Sequence, residues 1–150
     1  MNKRIVIVMQ GVPGSGKTTM AKEYIRSLPL GETGHIVSAD DYYMRDGVYR
    51  FDPSLLSKAH AYCFRRFIDI VSSTLTMNVI VDNTNTTAVE MAPYMLGASA
   101  YGYEPHYWRI SCDPRKAAAR NIHGVPEQVV DAQYQRMMSD NLAPWWKTWK

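Results

Sequence analysis

The most constraining feature of this sequence is a short apolar run that leads directly into a glycine-rich segment. Residues 4–9 read Arg-Ile-Val-Ile-Val-Met, which is nearly continuous in apolar character and rich in β-branched residues. Such a run is typical of a strand that is buried on both faces. Residues 11–18 then read Gly-Val-Pro-Gly-Ser-Gly-Lys-Thr, and residues 17–28 carry apolar side chains at helical spacing until Pro29 ends the helix. The order strand, glycine-rich loop and helix predicts the first unit of a parallel α/β sheet.

The glycine-rich segment fits the phosphate-binding pattern G-x-x-x-x-G-K-[ST]. Its glycines let the backbone curl so that successive amides point inward, and the helix that follows directs its positive N-terminal end to the same place. In this pattern the lysine reaches the β- and γ-phosphates, and the next hydroxyl is a ligand of Mg²⁺. We therefore expect the chain to bind ATP and Mg²⁺ through Gly11, Pro13, Gly14, Ser15, Gly16, Lys17, Thr18 and Thr19.

The rest of the chain alternates predicted strands with predicted helices. Further strands are expected at residues 35–38, 78–82 and 106–110. Helices are expected at about residues 53–77, after a capping box formed by Thr87 and Glu90, and at about residues 114–121 and 126–139. Pro93 should distort the helix that follows the capping box. The 150 residues show no linker or repeat, so the prediction is a single α/β domain in which helices cover both faces of a mainly parallel sheet.

Composition excludes several classes of protein. With 46% hydrophobic and 21% charged residues, the chain is neither collagen-like nor a low-complexity or coiled-coil sequence. It has no apolar run long enough to cross a membrane, and the run before Gln10 lacks a secretory cleavage site. Cys63 and Cys112 are far apart, which suits a reducing compartment, so we expect a cytoplasmic location. The net charge of +3 permits an anionic partner without requiring one.

Carboxylates follow two of the predicted strands. Asp40 and Asp41 come after the second strand, and Asp82 ends the third. Ligands gather at the carboxyl ends of parallel strands, so these side chains can converge near the γ-phosphate, where a carboxylate can take the proton of a hydroxyl acceptor. Asp82 could equally be a metal ligand, an anchor for an arginine or a hydrogen-bonded strand end. Residues 83–86 could hold a substrate or a water molecule, or form a turn before the capping box.

Cations cluster around the break between the last two predicted helices. An enzyme that transfers a phosphoryl group usually closes a segment over the phosphates, and an arginine there can clamp the group in two places. Arg115 and Lys116 fall in a first helical turn, where we expect them to be solvated. Arg120, just before the break, is the candidate lid arginine.

Four further motifs carry a resemblance to a known family. They are Ser-Ala-Asp-Asp-Tyr-Tyr at 38–43, Tyr-Arg-Phe-Asp-Pro at 49–53, Val-Asp-Asn-Thr-Asn at 81–85 and Arg-Asn-Ile-His-Gly-Val at 120–125. Over about residues 4–140 the chain resembles the P-loop polynucleotide kinase family. It is similar to phage 5′-polynucleotide kinases and more so to the kinase domains of a vertebrate family of ubiquitin-ligase-binding proteins. The resemblance implies a three-layer α/β/α P-loop kinase fold with a short helical lid, and ATP-dependent phosphorylation of the 5′-hydroxyl of DNA or RNA.

The resemblance also implies roles for individual residues. Lys17 and Thr18 match the residues that hold the phosphates and Mg²⁺, Asp40 matches the general base, and Arg120 matches a lid arginine on the donor phosphates. One departure concerns the lid, because His123 or Gly124 stands where phage members have a second arginine. A neutral imidazole is a weaker clamp than a guanidinium, so the lid is expected to be weaker.

A second departure concerns the acceptor strand. Phage members have an arginine two residues after the acidic pair, and this chain has Tyr43 there, so Arg45 or Arg50 could replace it or Tyr43 could stack on a base. We take as candidate metal ligands Thr18 and Asp82, and as candidate acceptor residues Asp41, Tyr43, Arg50, Asn83 and Asn85.

Other functions remain open at the level of the sequence. The same chemistry could phosphorylate 5-hydroxymethyluracil bases in phage DNA, which needs a pocket for an extruded base. A small-metabolite kinase would share the same sheet, loop and lid. A third possibility is a nucleotide-binding adaptor module with little turnover. The tryptophan-rich residues 144–150 mix aromatic side chains with lysines, and we expect them to pack against the domain rather than bind substrate.

Overall fold

Five parallel strands form one sheet in the computed structural model, which describes residues 3–150. The strands of the chain are β1 (Ile5–Gln10), β2 (Gly34–Val37), β3 (Met44–Arg45), β4 (Val48–Tyr49), β5 (Asn78–Val81), β6 (Glu104–Arg109) and β7 (Lys147–Thr148). The sheet has the order β2-β5-β1-β6-β7, and β3 and β4 form a separate antiparallel hairpin. The central position of β1 explains its apolar character, because it is paired on both edges and covered on both faces.

Within residues 3–150, five α-helices accompany the sheet. They are α1 (Lys17–Ser27), α2 (Leu56–Ser73), α3 (Ala88–Ala100), α4 (Pro114–Arg120) and α5 (Glu127–Ser139), with 3₁₀ turns at Ala39–Tyr43 and Pro53–Leu55. Within residues 3–150, none of the helices combines the length and the apolar character that crossing a bilayer requires.

Alternate side chains of β1 pack on opposite faces of the sheet. Ile7 and Met9 pack with Ala21 of α1 on one face. Val6 and Val8 belong to the larger core on the other face, which α2 and α3 cover. The helices α4 and α5 pack beside the glycine-rich loop through a small cluster of Val12, Ala117 and Val130. The prediction of a three-layer α/β/α fold with a parallel sheet and a helical lid is therefore confirmed.

Two local predictions need correction. The helix α2 ends at Ser73, earlier than expected, because Thr74 adopts a left-handed conformation with φ 58°. Pro93 lies inside α3 without interrupting it. Pro93 has no amide hydrogen to donate to the carbonyl of Val89, one turn earlier in the helix. Val89 is exposed, so its carbonyl can bond to water instead.

The C-terminal segment packs against the domain, as expected, but it also adds a strand that the sequence did not reveal. In β7, Lys147 pairs with His106 and Thr148 with Tyr107 at the edge of the sheet. Trp149 then packs edge-to-face on Tyr24 of α1, with ring centroids 5.4 Å apart.

Candidate active site

The glycine-rich loop joins the carboxyl end of β1 to α1. Gly14 and Gly16 have φ values of 79° and 102°, which glycine adopts without strain. The helix α1 begins with no side-chain cap and no acidic residue in its first turn, so its N-terminal amides are available to a ligand. The hydroxyl of Ser15 is buried and has no hydrogen-bond partner among residues 3–150. Both features fit the binding of an anion such as a phosphate group.

Lys17 places a cation beneath this loop. It is only 8% exposed, and its Nζ donates a hydrogen bond to the carbonyl of Val12 at 3.0 Å. Burial lowers the pKa of Lys17, although the nearby carboxylates of Asp82 and Asp40 act to raise it. A phosphate bound at the loop would stabilise the charged form of this lysine.

Thr18 and Asp82 lie in direct contact where α1 begins and β5 ends. The Thr18 hydroxyl donates to Asp82 Oδ2 at 2.7 Å. Burial raises the pKa of Asp82, while the hydrogen bond from Thr18 and the charge of Lys17 act to lower it. A hydroxyl and a carboxylate are oxygen ligands of the kind that Mg²⁺ prefers, in sites that the phosphates of a bound nucleotide complete. The pair therefore fits the expected Mg²⁺, which would neutralise charge on those phosphates.

A cavity of about 780 Å³ opens beside the loop and extends under the lid. Lys17, Asp82 and Arg120 lie at its phosphate end. Asp40 and His123 also border it, as do the aromatic residues Tyr43, Tyr49 and Phe51 and the α5 residues Val129 and Gln133. The fold thus joins the candidate nucleotide site and the candidate base in one cavity.

The 3₁₀ turn after β2 positions Asp40. The Ser38 side chain accepts a hydrogen bond from the Asp40 amide at 3.2 Å, and Asn83 Oδ1 accepts one from the Ala39 amide at 2.8 Å. The Tyr49 hydroxyl donates to Asp40 Oδ1 at 3.1 Å. Asp40 is therefore held at the cavity by contacts from three segments of the chain.

The lid contributes Arg120 and His123. The Nε of Arg120 donates to the carbonyl of Gly14 at 3.2 Å, and its Nη2 lies 2.9 Å from Cys112 Sγ. Arg120 therefore lies over the phosphate-binding loop. The Nε2 of His123 instead lies 3.3 Å from Asp40 Oδ2, so the contact that the structure shows for His123 differs from the donor-phosphate contact that we expected.

The family of the chain follows from a match to residues 6–141 by the family model described as AAA domain. The chain belongs to the AAA domain family. This AAA domain is 34% identical to NEDD4-binding protein 2 from Homo sapiens over 143 residues. The aligned region covers 90% of this chain and 8% of that protein. YLP motif-containing protein 1 from Rattus norvegicus is 25% identical, with 81% of this chain and 10% of that protein covered. This chain thus spans a tenth of the length of these relatives or less.

Solved structures share the fold of this AAA domain. A chain in the structure of the Pnkp1/Rnl/Hen1 RNA repair complex superimposes with a TM-score of 0.72 at 18% identity, covering 92% of this chain and 45% of that chain. The Mycobacterium tuberculosis APS kinase CysC in complex with AMPPNP and APS superimposes with a TM-score of 0.61 at 15% identity, covering 100% and 84%. At these identities the likeness shows the fold, which is the expected fold of P-loop kinases.

Several residues that we expected to contact the acceptor have other partners in this AAA domain. Asp41 Oδ2 accepts a hydrogen bond from Arg66 Nη1 at 2.9 Å on the surface of α2, away from the cavity. Arg50 is exposed and does not border the cavity. Tyr43 borders the cavity, but only 3% of it is exposed and its ring packs on Phe51 with centroids 5.1 Å apart. It therefore offers no free ring face for stacking on a base.

The two asparagines after β5 hold the backbone together. Asn83 borders the cavity, but its Oδ1 is already bonded to the Ala39 amide. Asn85 is 4% exposed, and its Nδ2 donates to the carbonyl of Met9 at 2.7 Å. This bond ties the segment after β5 to the end of β1, so the side chain of Asn85 points into the protein rather than toward an acceptor.

Tyr49 and Gln133 border the cavity but are not among the predicted site residues. Tyr49 contacts Asp40, and its place in the Tyr-Arg-Phe-Asp-Pro motif was the available signal. Gln133 borders the cavity from α5, and its Oε1 is buried without a hydrogen-bond partner among residues 3–150. No local pattern in the sequence of α5 marks this position.

Proposed function

We propose that this AAA domain is a kinase that transfers the γ-phosphate of ATP to the 5′-hydroxyl of a DNA or RNA strand, with Mg²⁺ as its metal ion. The observation that carries the proposal is that the phosphate-binding loop and the carboxylate of Asp40 border one cavity. A phosphoryl donor and a hydroxyl acceptor bound in that cavity would meet between the loop and the base.

The proposed reaction is an in-line transfer. The acceptor oxygen attacks the γ-phosphorus while its proton passes to Asp40, and the bond between the γ-phosphorus and the bridging oxygen breaks to release ADP. Lys17, which contacts the carbonyl of Val12, and Arg120, which contacts the carbonyl of Gly14, neutralise negative charge on the phosphates. Catalysis of this kind depends mainly on positioning and on electrostatic stabilisation.

The walls of the cavity support a nucleoside acceptor. Beyond Asp40 the walls are aromatic, apolar or neutral, and include Phe51, Val129 and Gln133. Among the described residues, the lysine and arginine that border the cavity are Lys17 and Arg120, both at the phosphate end. An uncharged aromatic base with hydrogen-bonding edges suits such walls better than an anionic metabolite. A neighbour in an RNA repair complex supports the same choice.

The experiment that tests the proposal measures transfer of labelled γ-phosphate from ATP to a panel of acceptors. The panel contains 5′-hydroxyl DNA and RNA oligonucleotides, the same oligonucleotides with 5′-phosphates, DNA containing 5-hydroxymethyluracil, and mononucleotides. We expect label on the 5′-hydroxyl strands alone. Label only on DNA containing 5-hydroxymethyluracil would show that the protein phosphorylates modified bases instead. ATP binding without transfer to any acceptor would favour a nucleotide-binding adaptor module.

Two variants connect the activity to the site. Asp40→Asn should abolish transfer and leave ATP affinity within a few-fold, because the amide cannot take the proton while the residues proposed to hold the nucleotide, Lys17, Thr18 and Arg120, are unchanged. Asp69→Asn, an exposed change on α2, is the matched control and should keep normal transfer. A near-normal rate of transfer in Asp40→Asn would show that Asp40 is not the general base.

A further inference from the structure

We infer that His123 is a positioning residue for Asp40, which links the closed position of the lid to the orientation of the base. The inference rests on the proposed function, because it concerns the carboxylate that takes the acceptor proton. It also places His123 on the acceptor side of the cavity, beside Asp40, whereas the family resemblance implied that His123 contacts the donor phosphates.

Two other segments of the chain contact Asp40, one that follows it closely in sequence and one from the lid. His123 Nε2, in the loop between α4 and α5, lies 3.3 Å from Asp40 Oδ2. The Tyr49 hydroxyl, in the β3–β4 hairpin, donates to Asp40 Oδ1 at 3.1 Å. The rings of Tyr49 and His123 also contact each other, with centroids 4.3 Å apart and an interplanar angle of 43°. Each carboxylate oxygen thus has one neighbour, which fixes the plane of the carboxylate and leaves further lone pairs for the acceptor hydroxyl.

The lid loop holds His123 in place through its own hydrogen bonds. Asn121 Nδ2 donates to the carbonyls of Ala118 and Val125 at 2.8 and 3.0 Å, and Asn121 Oδ1 accepts from the Val125 amide at 2.8 Å. Gly124 completes the turn with φ 67°. Because these bonds close the loop on itself, the imidazole of His123 is presented to Asp40 from a backbone of defined shape.

The same lid carries Arg120, which contacts the phosphate-binding loop at the other end of the cavity. When the lid is down, Arg120 lies over the loop and His123 lies beside Asp40. Lifting the lid would separate both pairs and leave Asp40 with the hydrogen bond from Tyr49, so both carboxylate oxygens are held only while the lid covers the phosphates. This coupling would limit transfer of the phosphoryl group to water, which is the side reaction that a kinase lid suppresses.

The kinetic test compares His123→Ala, His123→Gln and a control, His35→Gln, which changes an exposed histidine on β2. We expect kcat to fall about tenfold in His123→Ala, with the KM for ATP within about twofold, because positioning and not nucleotide binding is lost. The glutamine amide can donate to Asp40 from a similar position, so His123→Gln should recover most of kcat. His35→Gln should match the wild type.

Each alternative result has a definite meaning. A rise in the KM for ATP at unchanged kcat would overturn the inference and assign His123 to the donor phosphates. Equal loss of kcat in the alanine and glutamine variants would also overturn it, because a general disturbance of the loop would then explain both. An inactive wild-type protein would instead contradict the proposed function.

A spectroscopic test needs no activity. In NMR spectra of the ¹⁵N-labelled protein, we expect a ring Nε2–H signal of His123 that is protected from exchange with water. Asp40→Asn should shift or remove this signal, and Asp69→Asn should leave it unchanged. The same His123 signal in the wild type and in Asp40→Asn would overturn the contact between the two residues.

Discussion

The backbone carbonyl oxygen of Ala117 lies 1.9 Å from the position that a β-carbon on Gly14 would occupy. Gly14 belongs to the phosphate-binding loop, and Ala117 is buried in the middle of the lid helix α4. The loop and the lid therefore pack backbone against backbone, which is possible only because residue 14 has no side chain. This contact brings Arg120, one turn further along α4, within reach of the loop.

The first prediction concerns this contact. Gly14→Ala should lower the free energy of unfolding by about 2–4 kcal/mol, because it adds backbone strain at φ 79° and forces α4 away from the loop. Nucleotide affinity should fall as well, since α4 carries Arg120. Urea unfolding and titration with ATP measure the two effects.

Gly31→Ala is the matched control for Gly14→Ala. Gly31 also has a positive φ, 92°, but a β-carbon there would meet nothing within 4 Å. It should cost only the strain of the backbone, about 1 kcal/mol, and leave nucleotide affinity unchanged. Equal destabilisation by the two substitutions would show that the packing of α4 on the loop does not contribute to the free energy of unfolding.

The second prediction concerns the lid arginine. Arg120→Lys should lower kcat about 10²-fold, because an ammonium group cannot reproduce two parallel hydrogen bonds from a planar guanidinium. Thermal stability should stay close to that of the wild type, since Arg120 is exposed. Steady-state phosphate transfer, with melting followed by circular dichroism, tests both statements.

Arg115→Lys provides the comparison for Arg120→Lys, because Arg115 lies in the exposed first turn of the same helix. It should retain the full rate. A comparable loss of kcat in both variants would place the effect in the stability of α4 and not in the guanidinium of Arg120.

The third prediction separates a structural role of Asn85 from a role in binding the acceptor. Asn85→Ala should lower the free energy of unfolding by about 2–3 kcal/mol, because the carbonyl of Met9 loses its donor and alanine is strained at φ 46°. Asn85→Gly should destabilise the fold by about 1 kcal/mol less than Asn85→Ala. Glycine also lacks the donor to Met9, but it adopts this φ without strain. Denaturant unfolding measures both values. Unchanged stability together with a raised KM for the acceptor would instead support the contact that the sequence suggested.

The fourth prediction concerns pH and the edge of the sheet. Hydrogen bonding from Lys3, with further contributions from His106 and Lys147, lowers the pKa of Glu104 to about 2. Because the pKa is lowered in the folded state, the carboxylate stabilises the fold above its ordinary pKa near 4.5, and this contribution disappears as the pH falls toward 2. Glu104→Gln should therefore destabilise the domain at neutral pH, and the difference from the wild type should shrink between pH 4.5 and 2.

Urea unfolding at a series of pH values tests the Glu104 prediction. Glu23→Gln, an exposed change on α1, is the control and should show little effect at any pH. A difference between wild type and Glu104→Gln that stays constant from neutral pH down to 2 would contradict the pairing with these cations.

The sequence determined the parts of this protein in which neighbouring residues decide the structure. The β1 run, the phosphate-binding loop and α1 are contiguous, so the burial pattern, the backbone freedom of the glycines and the start of the helix could all be read locally. The proximity of Thr18 and Asp82 was also foreseeable in outline, because Thr18 lies where α1 begins after the loop that follows β1, and Asp82 directly follows the parallel strand β5.

Tertiary structure alone decided which polar side chains border the cavity. Asn83 and Asn85 are two residues apart, yet Asn83 borders the cavity while Asn85, which has φ 46°, bonds back to the carbonyl of Met9 at the end of β1. The partners of Asp40 come from residues 49 and 123, and β7 forms only because residues 147–148 find a free edge of β6. The contacts of His123 and of β7 depend on where distant segments meet in space, and no local sequence pattern records that.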